Sequence, residues 1–250
     1  MLTTTTRPLR TTSVLLLTYL LCVSVAPAQA QTLDEIIDGS LAAAGGREAM
    51  GRVTSVRQVG TFTMSTDFGD IEGDTEIVVI PNQKRYQDLE SDLFQQTAAW
   101  DGTSAWQSDS MQGMMSLEGQ QAETLAAQTL LHPFLAYDTP VLGPAEYSKL
   151  DDAEIDGRPH HVIQVSTGSL TAEIAVDAET MLVSRTRIDT DVPQVGSVTI
   201  TAAVSDYEEH DGLMFATRSL VDVPGLATID TRIATTELNV EVDHSIFEKP

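Results

Sequence analysis

The sequence predicts a mainly β (α+β) domain: a long antiparallel meander that curls on itself, covered by two helical segments. Three observations predict it. Runs rich in Val, Ile and Thr follow one another over most of the chain. The turns between them are short, such as Trp100-Asp101-Gly102, Asp156-Gly157, Asp177-Ala178-Glu179-Thr180 and Asp211-Gly212, and short connections join antiparallel neighbours. Helical periodicity is confined to two stretches, too few to separate the strands into parallel crossover units.

The first thirty residues stand apart. Arg7 and Arg10 make a basic start, Val14 to Val25 is an apolar run, and Ala28-Gln29-Ala30 supplies small residues for cleavage. This is the pattern of a secretory signal peptide over 1–30, so the mature chain is expected to begin at Gln31 and to be periplasmic or otherwise exported. The run is short for a bilayer span, and nothing later is apolar for long enough, so no transmembrane span is expected in the mature chain. The lone Cys22 lies inside the run behind Leu20 and Leu21, where lipid attachment requires a small residue. Lipid anchoring is therefore not expected, and neither disulfides nor thiol chemistry are available to residues 31–250. That length suits one domain.

From Thr32, LDEIIDGSLAAAGG reads as a helix. Thr32 is its N-cap, acids fill the first turn, Leu33, Ile36, Ile37 and Leu41 lie at helical spacing, and Gly45-Gly46 ends it. The glycine pair is not a phosphate loop, because no strand precedes it and no Gly-Lys-Ser/Thr follows. GTFTM, TEIVVI, KRYQDL and FQQTAAW then read as strands. The second helical segment runs from about Gln120 to Tyr137, with Leu125, Leu131, Phe134 and Leu135 in a stripe and Pro133 set to kink or break it. Six further strand runs follow, from HHVIQVST to ATIDTRIATTEL. In one of them Val198, Ile200, Ala202 and Val204 share a face opposite Thr199 and Thr201. Ten or more strands in one sheet must curl, and the two amphipathic helices are the natural cover for the concave face.

Charge narrows the partners. With Arg7 and Arg10 set aside, 12 basic side chains face 37 acidic ones, a formal net charge of −25. Nucleic acid and anionic headgroups would be repelled. The acids are spread along the chain without forming a tail, as on a surface solvated in high salt.

Candidate chemistry is sparse. His160 and His161 are consecutive in a strand, so their side chains leave opposite faces and cannot share an ion. His132, His210 and His244 show no metal-ligand spacing, and Glu208-Glu209-His210-Asp211 abuts a turn. Gly102-Thr103-Ser104-Ala105-Trp106 lacks the second glycine of a nucleophile elbow. No catalytic residue, metal or cofactor is expected. What remains is apolar: Trp106, Met111, Met114, Met115 and Leu117 precede the second helix. Thioethers of this kind either fill an irregular core or line a surface that accepts variable apolar ligands. With Phe62, Met64, Phe94, Leu131, Phe134 and Leu135 they make up the expected cavity lining.

The order of elements carries a resemblance. An export signal leads into LDEIIDGSLAAAGGREAM and VTSVRQVGTFTM. Asp177 to Leu182 fits an Asp-x-x-Thr-x-Leu turn, Tyr207 to Phe215 a Tyr-x-x-x-Asp-Gly-x-x-Phe hairpin, and Asn239 to Phe247 closes the pattern with its terminal Phe. From Thr32 to Pro250 the chain resembles the periplasmic lipoprotein carriers of the LolA/LolB-like family and their uncharacterised relatives. The resemblance implies an incomplete β-barrel holding an apolar cavity under a helical lid, and acyl chains of lipoproteins or lipids as ligand. It also implies a donor or receptor in the envelope and an interior arginine that ties the lid shut, for which Arg57 is the candidate. A non-enzymatic carrier is the leading expectation. An envelope-stress sensor or interaction module of the same fold is the alternative, and a hydrolase using His160 or His210 is the third.

The charge generates the first prediction. Ions screen like charges beyond about 8 Å at physiological strength, so the thermal midpoint should rise from low to molar salt; a flat profile would mean the acids are already locally compensated.

Overall fold

The computed structural model describes residues 31–110, 112–137, 142–192 and 196–250; the expected signal peptide, Cys22 and Met111 lie outside them. The chain opens with α1 (Leu33–Ala43) and a short α2 (Arg47–Met50). Thr32 caps α1 reciprocally: Glu35 N donates to its Oγ1 at 3.3 Å, and its own N donates to Glu35 Oε2 at 2.8 Å.

Six strands follow: β1 (Val56–Thr66), β2 (Gly69–Ile80), β3 (Lys84–Glu90), β4 (Gln95–Trp100), β5 (Ala105–Asp109) and β6 (Gly113–Leu117). The covering segment consists of α3 (Gly119–Ala127) and a 3-10 turn, Pro133–Tyr137. The chain then returns to the sheet with β7 (Glu146–Lys149), β8 (Ala153–Ile155), β9 (Arg158–Thr167), β10 (Leu170–Asp177) and β11 (Val183–Val192). It ends with β12 (Gly196–His210), β13 (Leu213–Val223), β14 (Ala227–Leu238) and a 3-10 turn, His244–Phe247. All strands join one antiparallel sheet in the order β6-β5-β4-β3-β2-β1-β14-β13-β12-β11-β10-β9-β7, with β8 on β9. The terminal strands β6 and β7 do not pair, so the curled sheet stays open. The predicted class stands.

The second helix is shorter than its sequence pattern. It stops at Ala127, Thr129 Oγ1 donates to Ala126 O at 2.7 Å, and Pro133 opens a separate turn. Proline supplies no N–H and its ring clashes with the preceding turn, so one continuous helix from Gln120 to Tyr137 cannot form.

Alternation fixes two faces. On β1, Val56, Gln58, Gly60, Phe62 and Met64 point inward, opposite Val79, Ile77, Thr75, Gly73 and Ile71 of β2. Val198, Ile200, Ala202 and Val204 also share the inner face, since they pair with Thr190, Ile188, Thr186 and Ser219. The main core joins Ile36, Leu41 and Met50 of the helices to Val56, Val79, Ile163, Val165, Ile174, Val176 and Phe134. A second cluster lies on the outer face, where Val78 and Ile80 pack against Phe247. There Trp106 Nε1 donates to Phe247 O at 2.9 Å, and Lys84 Nζ sits 5.4 Å from the Phe247 ring centre.

The family-like motifs are structural. Asp177 Oδ1 accepts from Glu179 N and Thr180 N, Tyr207 Oη donates to Val183 O, and Asn239 Oδ1 accepts from Thr54 N. Gly45 is required where α1 meets the β12–β13 hairpin: its φ is +111°, and a Cβ there would lie 2.3 Å from Gly212 O.

Phe247 is fully buried against the outer face. Phe247→Ala should lower unfolding free energy by about 3–5 kcal/mol, checked by denaturant titration, whereas a loss under 1 kcal/mol would show that the terminal turn is dispensable.

Candidate ligand cavity

The inner face divides into a packed half and an open half. In the packed half, α1 and the Pro133–Tyr137 turn press on β9, β10 and the start of β1. In the open half, Met64, Ile71, Ile188, Ile200, Val221 and Ile229 face inward, only partly buried and outside both clusters. A cleft of about 310 Å³ lies on the inner face, lined by Val56, Gln58, Ile77, Val79, Arg85, Leu131 and Phe215, with Gln128 and Leu130 completing it.

The covering segment reaches across the opening between the unpaired strands. Near its start, Gln120 Nε2 donates to Asp189 O at 2.7 Å, and Glu123 Oε2 accepts from Ser169 N at 2.8 Å, both at the exposed surface. At its far end, Asn82 N donates to Thr129 O at 3.1 Å and Phe134 is fully buried.

The expected lining residues part company here. Phe62 is 1% exposed on the inner face, edge-on to Phe94 at 6.0 Å, and Gly73 opposite leaves room for its ring. Met64, Met115 and Leu117 point inward and are half-buried. Leu131 lines the cleft, while Leu135 packs against the core. Phe134 belongs to the core itself, edge-on to Tyr147 at 5.8 Å. Trp106 and Met114 stand on the other face: Trp106 is buried beneath Phe247, and Met114 is 42% exposed. Strand parity is the reason, since Trp106 pairs with Ala99 and Ser116, leaving Trp100 and Met115 inside.

Arg57 is also outside. Its Nε donates to Glu76 Oε1 at 2.6 Å and its Nη1 to Glu237 Oε2 at 3.0 Å, so it staples β1 to both neighbours and cannot reach the lid. Among the described arginines the interior one is Arg85, 7% exposed, which pairs with Val79 on one side and Trp100 on the other. Its Nη2 donates to Gln87 Oε1 at 2.8 Å, and burial pulls its pKa down to about 10. Sequence reading missed it because KRYQDL alternates cleanly without telling which face is inside.

The histidines do separate work. His160 pairs with Asp177 and lies 3.9 Å from its carboxylate on the outer face; His161 faces inward, 3.1 Å from Asp152. Their opposite faces follow the sequence reading. Among the described residues no group of three or more His, Cys, Asp or Glu could hold a metal ion. His132 is 5% exposed and touches Ser40 Oγ through Nε2 at 3.3 Å. Its Nδ1 accepts from Phe134 N at 3.3 Å, which puts the neutral ring's proton on Nε2, donating to Ser40. A base for serine would need the reverse, so this pair anchors the cover to α1.

No family model and no curated protein matches the sequence. Solved structures do resemble the fold. A LolA superfamily protein from Nitrosomonas europaea is 13% identical, covering 88% of this chain and 99% of its own at a TM-score of 0.58. A putative outer membrane lipoprotein-sorting protein domain from Vibrio parahaemolyticus is 7% identical, covering 85% and 94% at 0.55. A DUF1329 family protein from Desulfovibrio piger is 10% identical, covering 88% and 98% at 0.58. The open sheet and its helical cover are therefore a LolA-like incomplete barrel, the fold that the sequence motifs implied. No helix among the described residues is long and apolar enough to cross a membrane.

His132 gives the cover a pH signature. Burial, then the nearby Arg47 charge, lowers its pKa from 6.5 to about 4. Between these values the unfolded chain binds the proton and the folded chain does not. Stability should therefore be full above about pH 6.5 and fall by about 3 kcal/mol as pH drops to about 4, before protonation of Asp177 or Asp230 contributes. Denaturant midpoints across this range check it, and His132→Gln should flatten the slope; an unchanged slope in that variant would assign it elsewhere.

Proposed function

We propose that the protein is a non-enzymatic, exported binder and carrier of acyl chains, belonging to lipoproteins or to lipids, held on the inner face of the open barrel. The observation that carries the reading is the open half. A sheet whose inner face presents Met64, Ile71, Val221 and Ile229 without packing them is suited to a partner that is itself apolar. From Val56 to Met64 the β1 wall runs about 26 Å, long enough for one extended chain. Each methylene moved from water gains about 0.8 kcal/mol, so a modest contact area suffices without any reaction.

The cover supports delivery as well as binding. Its first end is held by exposed hydrogen bonds, which are cheap to break, while its second is anchored in the core through Phe134 and His132. Met115 and Leu117 lie just before it and can repack around chains of different shape. Exchange with an envelope donor or receptor fits this arrangement.

Native mass spectrometry of protein from its own envelope should show a bound lipid or acylated species. A neutral acyl methyl ester should bind to delipidated protein, and Val221→Asn or Ile229→Asn should weaken it at least tenfold while changing stability by less than about 1 kcal/mol, because the amide stays within reach of water. Protein that is repeatedly empty and takes up no ester would overturn the proposal.

A further inference from the structure

The chain holds 37 carboxylates, and eight of the nine described arginines lie within ion-pair distance of one: Arg47, Arg52, Arg57, Arg158, Arg185, Arg187, Arg218 and Arg232. Arg85 is the ninth. It is the most buried of them, and its Nη1 has no acceptor among the described residues. Beside it, Trp100 pairs with Arg85 across β3–β4, so both side chains leave the inner face; its Nε1 is buried and lacks an acceptor as well. Two orphaned donors, one cationic, thus sit on one wall, and Arg85 opens into the apolar cleft together with Gln58 and Gln128.

We propose that this corner is a counter-ion site for a carboxylate-headed single-chain amphiphile, a long-chain fatty acid in chemical class, with Arg85 binding the head and Trp100 donating beside it. The inference rests on the acyl-binding reading and names the head that its ligand carries. A buried arginine without a counter-ion is destabilising, and a well-packed apolar residue would serve a purely structural wall better. Burial leaves its pKa at about 10, so the guanidinium is still charged at neutral pH. Its planar fork matches a carboxylate, and Gln87 occupies only the Nη2 side. The tail then runs from the cleft along the open half past Ile77. The ion pairs fit as well, since none of those formed by the other eight described arginines involves Arg85, whose charge stays uncompensated among the described residues.

The test compares cis-parinaric acid with its methyl ester by fluorescence titration at neutral pH, on wild type, Arg85→Met and Trp100→Phe. Wild type should bind the acid about tenfold to a hundredfold tighter than the ester, the range expected of a charge-assisted hydrogen bond. Arg85→Met should remove that preference by weakening the acid alone, and Trp100→Phe should reduce it. Ligand-free Arg85→Met should melt at or above the wild-type temperature, which separates lost recognition from unfolding. Equal binding of acid and ester by wild type, or a preference that survives Arg85→Met, overturns the counter-ion site and leaves acyl binding standing. Binding of neither probe overturns both.

Discussion

The pairing of β1 with β14 is the contact on which the rest of the structure depends. One meander runs from β1 outward to β6 and another from β14 back to β7, and only this ladder makes them one sheet. It joins residues far apart in sequence, Val56 to Leu238 and Ser65 to Thr228, so its closure costs the most chain entropy of any strand pairing here. The chain supports it at several points. Asn239 receives hydrogen bonds from Thr54 N and Oγ1, Ser55 Oγ donates to Val240 O, and Arg57 spans from Glu76 to Glu237 across both neighbours. Gly60 sits where the ladder slips by one residue, and a Cβ there would lie 2.0 Å from Arg232 O. The bulge bends β14 around the inner face, and the bend gives the concavity that the covering segment closes.

Much of this was legible as pattern. The capping box at Thr32, the break at Pro133, and the tight turns at Asp156-Gly157 and Asp211-Gly212 all act through chemistry local to a few residues. The alternation of Val198 through Val204 was readable because only one face of β12 is apolar. The inner lining was harder to read. In β2 the consecutive Val78, Val79 and Ile80 show burial on both faces, with Val79 in the main core and Val78 and Ile80 under Phe247. Where both faces are covered, hydrophobicity no longer tells inside from outside. Trp106 and Trp100, or Met114 and Met115, are then equivalent by composition, and only the register separates them. The exchange of Arg57 for Arg85 has the same origin, since each lies in an alternating strand and the sequence names no acceptor for either.

Packing and openness are distributed with a purpose visible in the energetics. The fully buried large side chains, Phe134, Phe247, Ile36, Leu41, Ile163 and Val176, belong to one cluster or the other, and Phe62 is covered by Phe94. These clusters lie apart from the open half, so on the proposed reading a ligand could enter and leave the latter without disturbing the former. The two ends of the cover follow the same division. Gln120 and Glu123 make exposed hydrogen bonds worth little net free energy, whereas Phe134 and His132 lie within the core. Release of the first end costs far less than release of the second, so opening should pivot about the residues after Ala127.

The electrostatic layout places a final constraint on what enters. With net −25 on residues 31–250, an anion approaching from solvent meets repulsion over most of the surface. At physiological ionic strength that repulsion decays over about 8 Å, so it acts on approach and hardly at all inside the barrel. An acyl ligand delivered tail-first, or handed over by a partner docked at the opening, avoids the field that would exclude a small free anion. Arg85 lies beneath that barrier, where low dielectric strengthens its attraction and its Nη1 has no acceptor among the described residues. On the proposed reading, the acidic exterior and the buried Arg85 would act in series, the first disfavouring soluble anions and the second favouring an anion that arrives attached to an apolar chain.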